Sequence, residues 1–236
     1  VATAIVVGSG PNGLAAAAVL AQAGVSVTVL EAADEIGGGT RSAEGLLPGL
    51  LHDHCSAIHP MAVGSPVLRD LGLERHGLEW RLPEIDCVHP LDGGRAAVLH
   101  RSVERTAAGL GVDGRAWRML LGRAADGFDL LADDILGPLV QVPAHPLRLA
   151  AFGAPAAAPV AALTRVFRSP EARALFGGVA AHAFRPFHQP FSSAVAMGIL
   201  AAGHRHGWAV AAGGSGAISR ALAAALTAAG GRIETG

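Results

Sequence analysis

The sequence predicts an α/β protein, and three features of its first residues carry that prediction. Ala4-Ile5-Val6-Val7 is a short apolar run with β-branched residues, the composition of a half-buried or buried strand. It runs straight into Gly8-Ser9-Gly10-Pro11-Asn12-Gly13, after which Ala and Leu dominate as far as Ala23, so the order is strand, tight turn, helix. Gly24 supplies a left-handed stop, and Val25 to Leu30 alternates β-branched with smaller residues before Glu31, which gives a second strand and completes a βαβ unit.

Beyond this unit the signals are shorter. From Ala32 to about His100 the chain is rich in Gly, Pro, His and Asp with brief apolar bursts, the pattern of loops and short strands. Asp113 stands where it would cap a helix, and Trp117, Leu120, Leu121, Ala124, Phe128, Leu131 and Ile135 recur at spacings of three and four, which predicts one amphipathic helix. Ser169-Pro170-Glu171 combines a capping hydroxyl, a proline for the first turn and an acid for the positive end of the helix dipole. Further helices are expected near Ser193 to Ala202 and Ala217 to Ala229. The latter ends at Gly230-Gly231, and Arg232-Ile233-Glu234-Thr235 then begins a strand. Three strands are few for a parallel sheet covered on both faces, so the chain reads as the amino-terminal part of a longer protein or one half of a split one.

Composition narrows the classes. The 236 residues are 51% apolar and 16% charged, with 18 basic against 19 acidic side chains, which argues against disorder and against nucleic acid as a partner. All the basic residues are Arg, which looks like codon bias and carries no functional conclusion. Cys55 and Cys87 are too few for a disulfide framework and form no metal-type pair, which fits a reducing, cytoplasmic setting. Leu149 to Leu163 is interrupted by Gly153, Pro155 and Pro159 and is shorter than the roughly 20 residues of a spanning helix, so membrane contact would be peripheral.

The chemistry lies in the first turn. Gly8 permits the tight bend, Gly10 lets backbone approach a pyrophosphate without a Cβ in the way, and Gly13 allows close packing of helix on strand. Pro11 costs no hydrogen bond in a first turn, and the remaining free amides, with Asn12 and Gly13 among them, favour a diphosphate. Glu31 follows Gly8 by 23 residues, at the end of the second strand, where its carboxylate can accept ribose hydroxyls and repel a 2′-phosphate. FAD or NAD is therefore expected ahead of NADP. A second cluster, Ile36-Gly37-Gly38-Gly39-Thr40-Arg41-Ser42, supplies more convergent amides and a guanidinium for an anion.

These residues resemble a known family. GSGPNGLAAA and VTVLEAADEIGGGTRS are similar to the amino terminus of the phytoene dehydrogenase-like FAD-dependent oxidoreductases, within the larger group of amine oxidases. LHDHCSAIHPMA, HPLDGGRAAVLHRS and GWAVAAGGSGAISRALAAALTAAGGRIETG continue the likeness over essentially the whole chain. The resemblance implies a Rossmann-type FAD-binding domain interrupted by a mainly helical substrate domain: residues 1–60 and 208–236 for FAD, 61–207 for substrate, with a carboxyl-terminal half absent. It also implies FAD held by Gly8, Gly10, Pro11, Asn12, Gly13, Glu31, Ala32, Gly38, Gly39, Thr40 and Arg41. The implied reaction is dehydrogenation, desaturation or isomerisation of a small hydrophobic, polyene-like substrate. No catalytic residue is assigned. A missing half or a complementing chain is the implied partner. Two other readings stay open: an NAD-binding dehydrogenase, and a non-catalytic fragment.

Two lookalikes are weighed against plainer roles. His52, Asp53, His54, Cys55 and His59 fit no common zinc spacing, and no metal is expected. Gly214-Ser215-Gly216 lacks the preceding strand of a nucleophile elbow and reads as a helix start. His204 and His206 are likewise expected to be solvent-facing histidines.

Overall fold

The computed structural model of the chain describes residues 2–138 and 140–236. Its strands, in chain order, are β1 (Thr3–Val7), β2 (Ser26–Glu31), β3 (Ser42–Glu44), β4 (Leu51–Asp53), β5 (Trp80–Arg81), β6 (Cys87–Pro90), β7 (Ala96–Leu99), β8 (Val210–Ala211) and β9 (Arg232–Thr235). The chain divides into two compact units, Val1–Arg81 with Ala209–Gly236, and Leu82–Trp208. Residues 61–81, expected from sequence to belong to the substrate module, thus pack within the first unit.

In the first unit β2 lies between β1 and β9, all parallel, with Ala4 beside Val27 and Val29 beside Ile233. The expected final strand is therefore a member of the same sheet as the first two. One face carries Val27 and Val29, which meet Leu14, Ala17 and Ala18 of the first helix, Pro11–Gln22, and Ile218, Leu222 and Ala225 of the last, Gly216–Ala228. Alanine on both helices is what lets them approach each other and the sheet closely. The opposite face is open: Ile5 is 70% and Val7 84% exposed. Parallel sheets normally bury both faces. The two short antiparallel pairs, β3 with β4 and β5 with β8, complete the unit.

The second unit is mainly helical around Trp117, Phe128, Phe167, Phe176, Met197 and Leu200, with the β6–β7 hairpin at its side. The amphipathic helix expected from Asp113 to Ile135 is broken. A π-turn occupies Arg118–Gly122 between Gly114–Trp117 and Arg123–Asp126, and Gly127 separates these from Phe128–Ile135. Only the sum of spacings was legible; one inserted residue in the π-turn shifts the apolar face without erasing its period. Asp113 does not cap that helix. Its carboxylate accepts from the amides of Arg168 and Ser169 and from the Ser169 hydroxyl, fastening the start of the helix Pro170–Ala180. That helix starts as expected, with Ser169 accepting from the Ala172 amide and Pro170 in the first turn. His204 is an interior residue: Nε2 accepts from the Trp117 indole N–H, and Nδ1 donates to the Arg101 carbonyl. Burial lowers its pKa below the usual histidine range.

Two phenylalanines adopt left-handed backbone, Phe184 at φ +47° and Phe191 at φ +64°. Phe184 ends a short 3₁₀ turn, a position where glycine avoids the Cβ clash. No single helix among the described residues is long and apolar enough to cross a membrane; the pair Pro146–Ala157 and Val160–Val166, bent by 94°, passes on length and composition only when taken together.

Two outcomes follow from this packing. Burial pushes the Asp113 carboxyl up, but the bonds from Ser169 and the two amides outweigh it and hold it below the usual aspartate range. Asp113→Ala is expected to cost about 3 kcal/mol at neutral pH in urea unfolding, because it leaves buried donors unpaired. Since the lowered pKa stabilises the fold only above the unfolded value near ~4, that difference shrinks as pH falls below about 4. Phe184→Gly, by contrast, is expected to raise stability by about 1 kcal/mol, since it relieves a left-handed side chain that is 97% exposed.

Candidate dinucleotide site

The glycine turn has the geometry its residue types call for. Gly8 sits at φ +97° and its amide donates to the Leu30 carbonyl at 2.7 Å, tying the turn to β2. A Cβ on Gly13 would overlap the Gly8 carbonyl oxygen, whereas one on Gly10 would meet nothing within 4 Å. Gly13 is therefore needed for packing, and Gly10 borders open space. Gly10 is the N-cap of the first helix and no side chain caps it, so the amides of Asn12 and Gly13 face outward unclaimed by a cap. Unclaimed amides on a twelve-residue helix form an anion site of the kind phosphates use.

Glu31 ends β2 beside this turn. Its Oε2 accepts from the Ser9 amide at 2.9 Å and from the Ser9 hydroxyl, and its Oε1 from the Ala33 amide at 3.0 Å. Arg41 stands 3.4 Å from Oε1. The Ser9 hydroxyl, then the Ser9 and Ala33 amides, pull the carboxyl down to about 2 against the opposing effect of burial, with Arg41 assisting. The group is ionised at any physiological pH. A carboxylate offers about four acceptor positions; three are filled by protein donors, which leaves room for a sugar hydroxyl.

The second glycine cluster lies against the first. Gly37, at φ +117°, donates from its amide to the Ser9 carbonyl at 3.0 Å and the Ser9 hydroxyl at 3.3 Å. Gly38 stands close to Gly10, where a Cβ would come within 3.1 Å of the Gly10 Cα. Gly8, Gly10, Pro11, Gly13, Glu31, Gly38 and Arg41 are thus gathered around Ser9. Arg41 is largely spent on its own loop, donating to the carbonyls of Glu35 and Ile36. Thr40 turns inward: its hydroxyl donates to the Gly37 carbonyl at 2.7 Å and pairs with Ser219 on the last helix. Asn12, Ala32 and Gly39 are exposed beside these loops. Sequence reasoning passed over Ser9 and Ser219. The signal for Ser9 was its hydroxyl between two glycines, one strand away from an acid; nothing local marked Ser219.

The histidine-rich stretch holds no metal cluster among the described residues. It forms a hydrogen-bonded clasp instead. Asp53 accepts from the Ser42 hydroxyl at 2.6 Å and the Ser215 amide at 2.7 Å, while Ser42 accepts from the Gly216 amide at 2.8 Å. Ser215 donates its hydroxyl to the Ser56 carbonyl at 2.6 Å and takes a bond from His59 Nε2 at 2.7 Å. Serine, histidine and aspartate meet here, yet not as a triad: the serine proton is committed to a carbonyl, and Asp53 binds the serine amide rather than the histidine. Burial, opposed by Asp53, lowers the His59 pKa.

Comparisons with known proteins agree with this geometry. Residues 6–71 match the model of an NAD(P)-binding Rossmann-like domain. Over 102 residues, 43% of this chain and 18% of the relative, it is 32% identical to one of the subunits of limonene dehydrogenase from Castellaniella defragrans. Among solved structures, a redesigned putrescine oxidase overlaps 99% of this chain and 50% of its own, with TM-score 0.56 and 25% identity. Cyclohexylamine oxidase from Brevibacterium oxydans overlaps 99% and 51%, with TM-score 0.55 and 22% identity. The chain therefore spans about half the length of the solved structures it matches. The fold is the α/β, Rossmann-type fold of FAD-binding oxidoreductases of the amine oxidase kind, and FAD is the cofactor of that fold. A phytoene dehydrogenase assignment is finer than these matches.

Ser9→Ala is expected to move the Glu31 carboxyl up from about 2 toward 4.5, read by carbon NMR titration of labelled glutamate. An unmoved midpoint would show that the serine does not set the charge of this site.

Proposed function

We propose that this chain carries the dinucleotide site and a substrate module of an FAD-dependent oxidoreductase acting on a hydrophobic, polyene-like substrate by dehydrogenation, desaturation or isomerisation. The observation that carries the reading is the ionised Glu31 at the end of β2, locked by Ser9 into the same turn whose Gly10 borders open space. The amides of Asn12 and Gly13 would take the diphosphate, Gly10 and Gly38 would let backbone close on it, and Glu31 would hold the adenosine ribose. When bound, the flavin supplies the hydride acceptor. The chain's own part is to bind the cofactor and to orient it.

The whole protein's activity needs more than these residues. The bare sheet face at Ile5 and Val7, together with the half-length match, supports a further stretch of polypeptide covering that face, in the same chain or a complementing one. Peripheral contact with a membrane belongs to the same reading, as a source of apolar substrate. NAD in place of FAD is the second reading, favoured by the description of the matching Rossmann-like domain; a negative Glu31 disfavours NADP in either case.

FAD titrated into the purified chain is expected to lose its free-flavin fluorescence and to remain with the protein on gel filtration. Gly10→Val, which fills the open space, is expected to weaken uptake by at least about tenfold, and Glu31→Ala by about tenfold or more, the scale of one lost charge-assisted hydrogen bond. Uptake of NAD but not FAD would move the assignment to the second reading, and uptake of neither would overturn both.

A further inference from the structure

The helical unit contains a feature that the dinucleotide site does not use. An open depression of about 600 Å³ lies along one side of the helix Pro170–Ala180, between the β6–β7 hairpin and the residues after that helix. Leu91, Ala174, Gly177, Ala181 and Phe187 give it an apolar floor, and Arg168 and Arg173 stand at one end. Gly177 presents no side chain, and a Cβ there would reach the Phe187 ring.

The two arginines lack carboxylate partners within 4 Å among the described residues, although two acids lie close in sequence or space. Asp113 is consumed by the amides of Arg168 and Ser169 and the Ser169 hydroxyl, and Glu171 pairs with Arg95 at 2.9 Å. Arg173 is also held in place: its Nε donates to the Phe167 carbonyl at 2.9 Å, which leaves the terminal nitrogens for something else. A guanidinium held this way beside a second, exposed one, both with unclaimed donors, suits a carboxylate or phosphate.

Phe187, 39% exposed, lines the depression, and Phe184 and Phe191, which flank it in sequence, are 97% and 62% exposed. Neither burial nor backbone preference accounts for Phe184 and Phe191, whose backbone is left-handed. The backbone around them is pinned, with the Ala161 amide donating to the Phe187 carbonyl at 3.0 Å and the Phe191 amide to the Ala157 carbonyl at 2.9 Å. Strained, pinned and exposed aromatic residues are a pattern associated with ligand contact.

We propose that this depression binds an amphipathic anion, an elongated hydrocarbon with a carboxylate or phosphate head, the head on Arg168 and Arg173 and the chain along Ala174, Gly177, Ala181 and Phe187. The charge at one end and the apolar floor along the rest select this class over a neutral hydrocarbon. The inference goes beyond the flavin reading, and binding itself needs no flavin.

The test uses cis-parinarate, a fluorescent polyene carboxylate, titrated into the full chain without FAD. Saturable enhancement of its emission at one site per chain is expected. Arg168→Gln with Arg173→Gln should weaken binding by about tenfold or more, the scale of lost charge-assisted hydrogen bonds. Ala174→Trp, which fills the depression from an already solvent-accessible position, should abolish saturation. Retinol, a neutral polyene alcohol, should bind the native chain more weakly and be indifferent to the arginine changes. Displacement by palmitate or by dodecyl phosphate tells which head is preferred. Should the double variant lose its fold by circular dichroism, Arg168→Gln alone, which removes no side-chain hydrogen bond, gives the same reading with a smaller shift. The proposal fails if enhancement does not saturate, or if folded variants bind parinarate as tightly as the native chain. A chain that binds parinarate but takes up no FAD would remove the flavin reading and leave this one standing; the reverse result would remove this one alone.

Discussion

The dinucleotide corner depends on one buried serine. Ser9 joins three segments distant in sequence: its amide and hydroxyl hold Glu31, and its carbonyl and hydroxyl receive the Gly37 amide. Without that hydroxyl, the acid and the second glycine loop would share only the backbone amide and carbonyl of Ser9. With it, the carboxylate is ionised and fixed beside the open Gly10, and the second loop is laid against the first. The low pKa of Glu31 follows from these bonds more than from any cation, because Arg41 contributes least among the causes.

The helical unit uses the same device elsewhere. Asp113 is a buried acid that organises backbone amides, here those at the start of the helix Pro170–Ala180. By taking those donors it also leaves the Arg168 guanidinium without a carboxylate partner. A structural bond thus leaves a charge available at the surface. His204 follows a related logic: burial keeps it neutral, so one ring nitrogen accepts from Trp117 while the other donates.

Much of the first unit was legible because its elements are local. The β1 run, the glycines, the helix start at Pro11 and the stop at Gly24 each act within a few residues, and Arg232–Thr235 was readable as a strand for the same reason. Other features were not. The break at Gly127 and the π-turn before it keep the apolar period that suggested one continuous helix. Asp113 had a plausible local partner, and its real ones lie 55 and 56 residues away. Thr40 was implied as a cofactor contact by the family resemblance alone, and the pairing of its hydroxyl with Ser219, 179 residues on, had no local signal.

By itself the sequence determined the βαβ unit, the glycine turn and the acid at the end of the second strand, since dihedral freedom, β-branching and strand period are properties of neighbouring residues. Tertiary structure alone decided which hydroxyls and carboxylates are spent inside the protein and which donors remain for a ligand. That allocation is made by hydrogen bonds between segments far apart in the chain, and no local pattern encodes them.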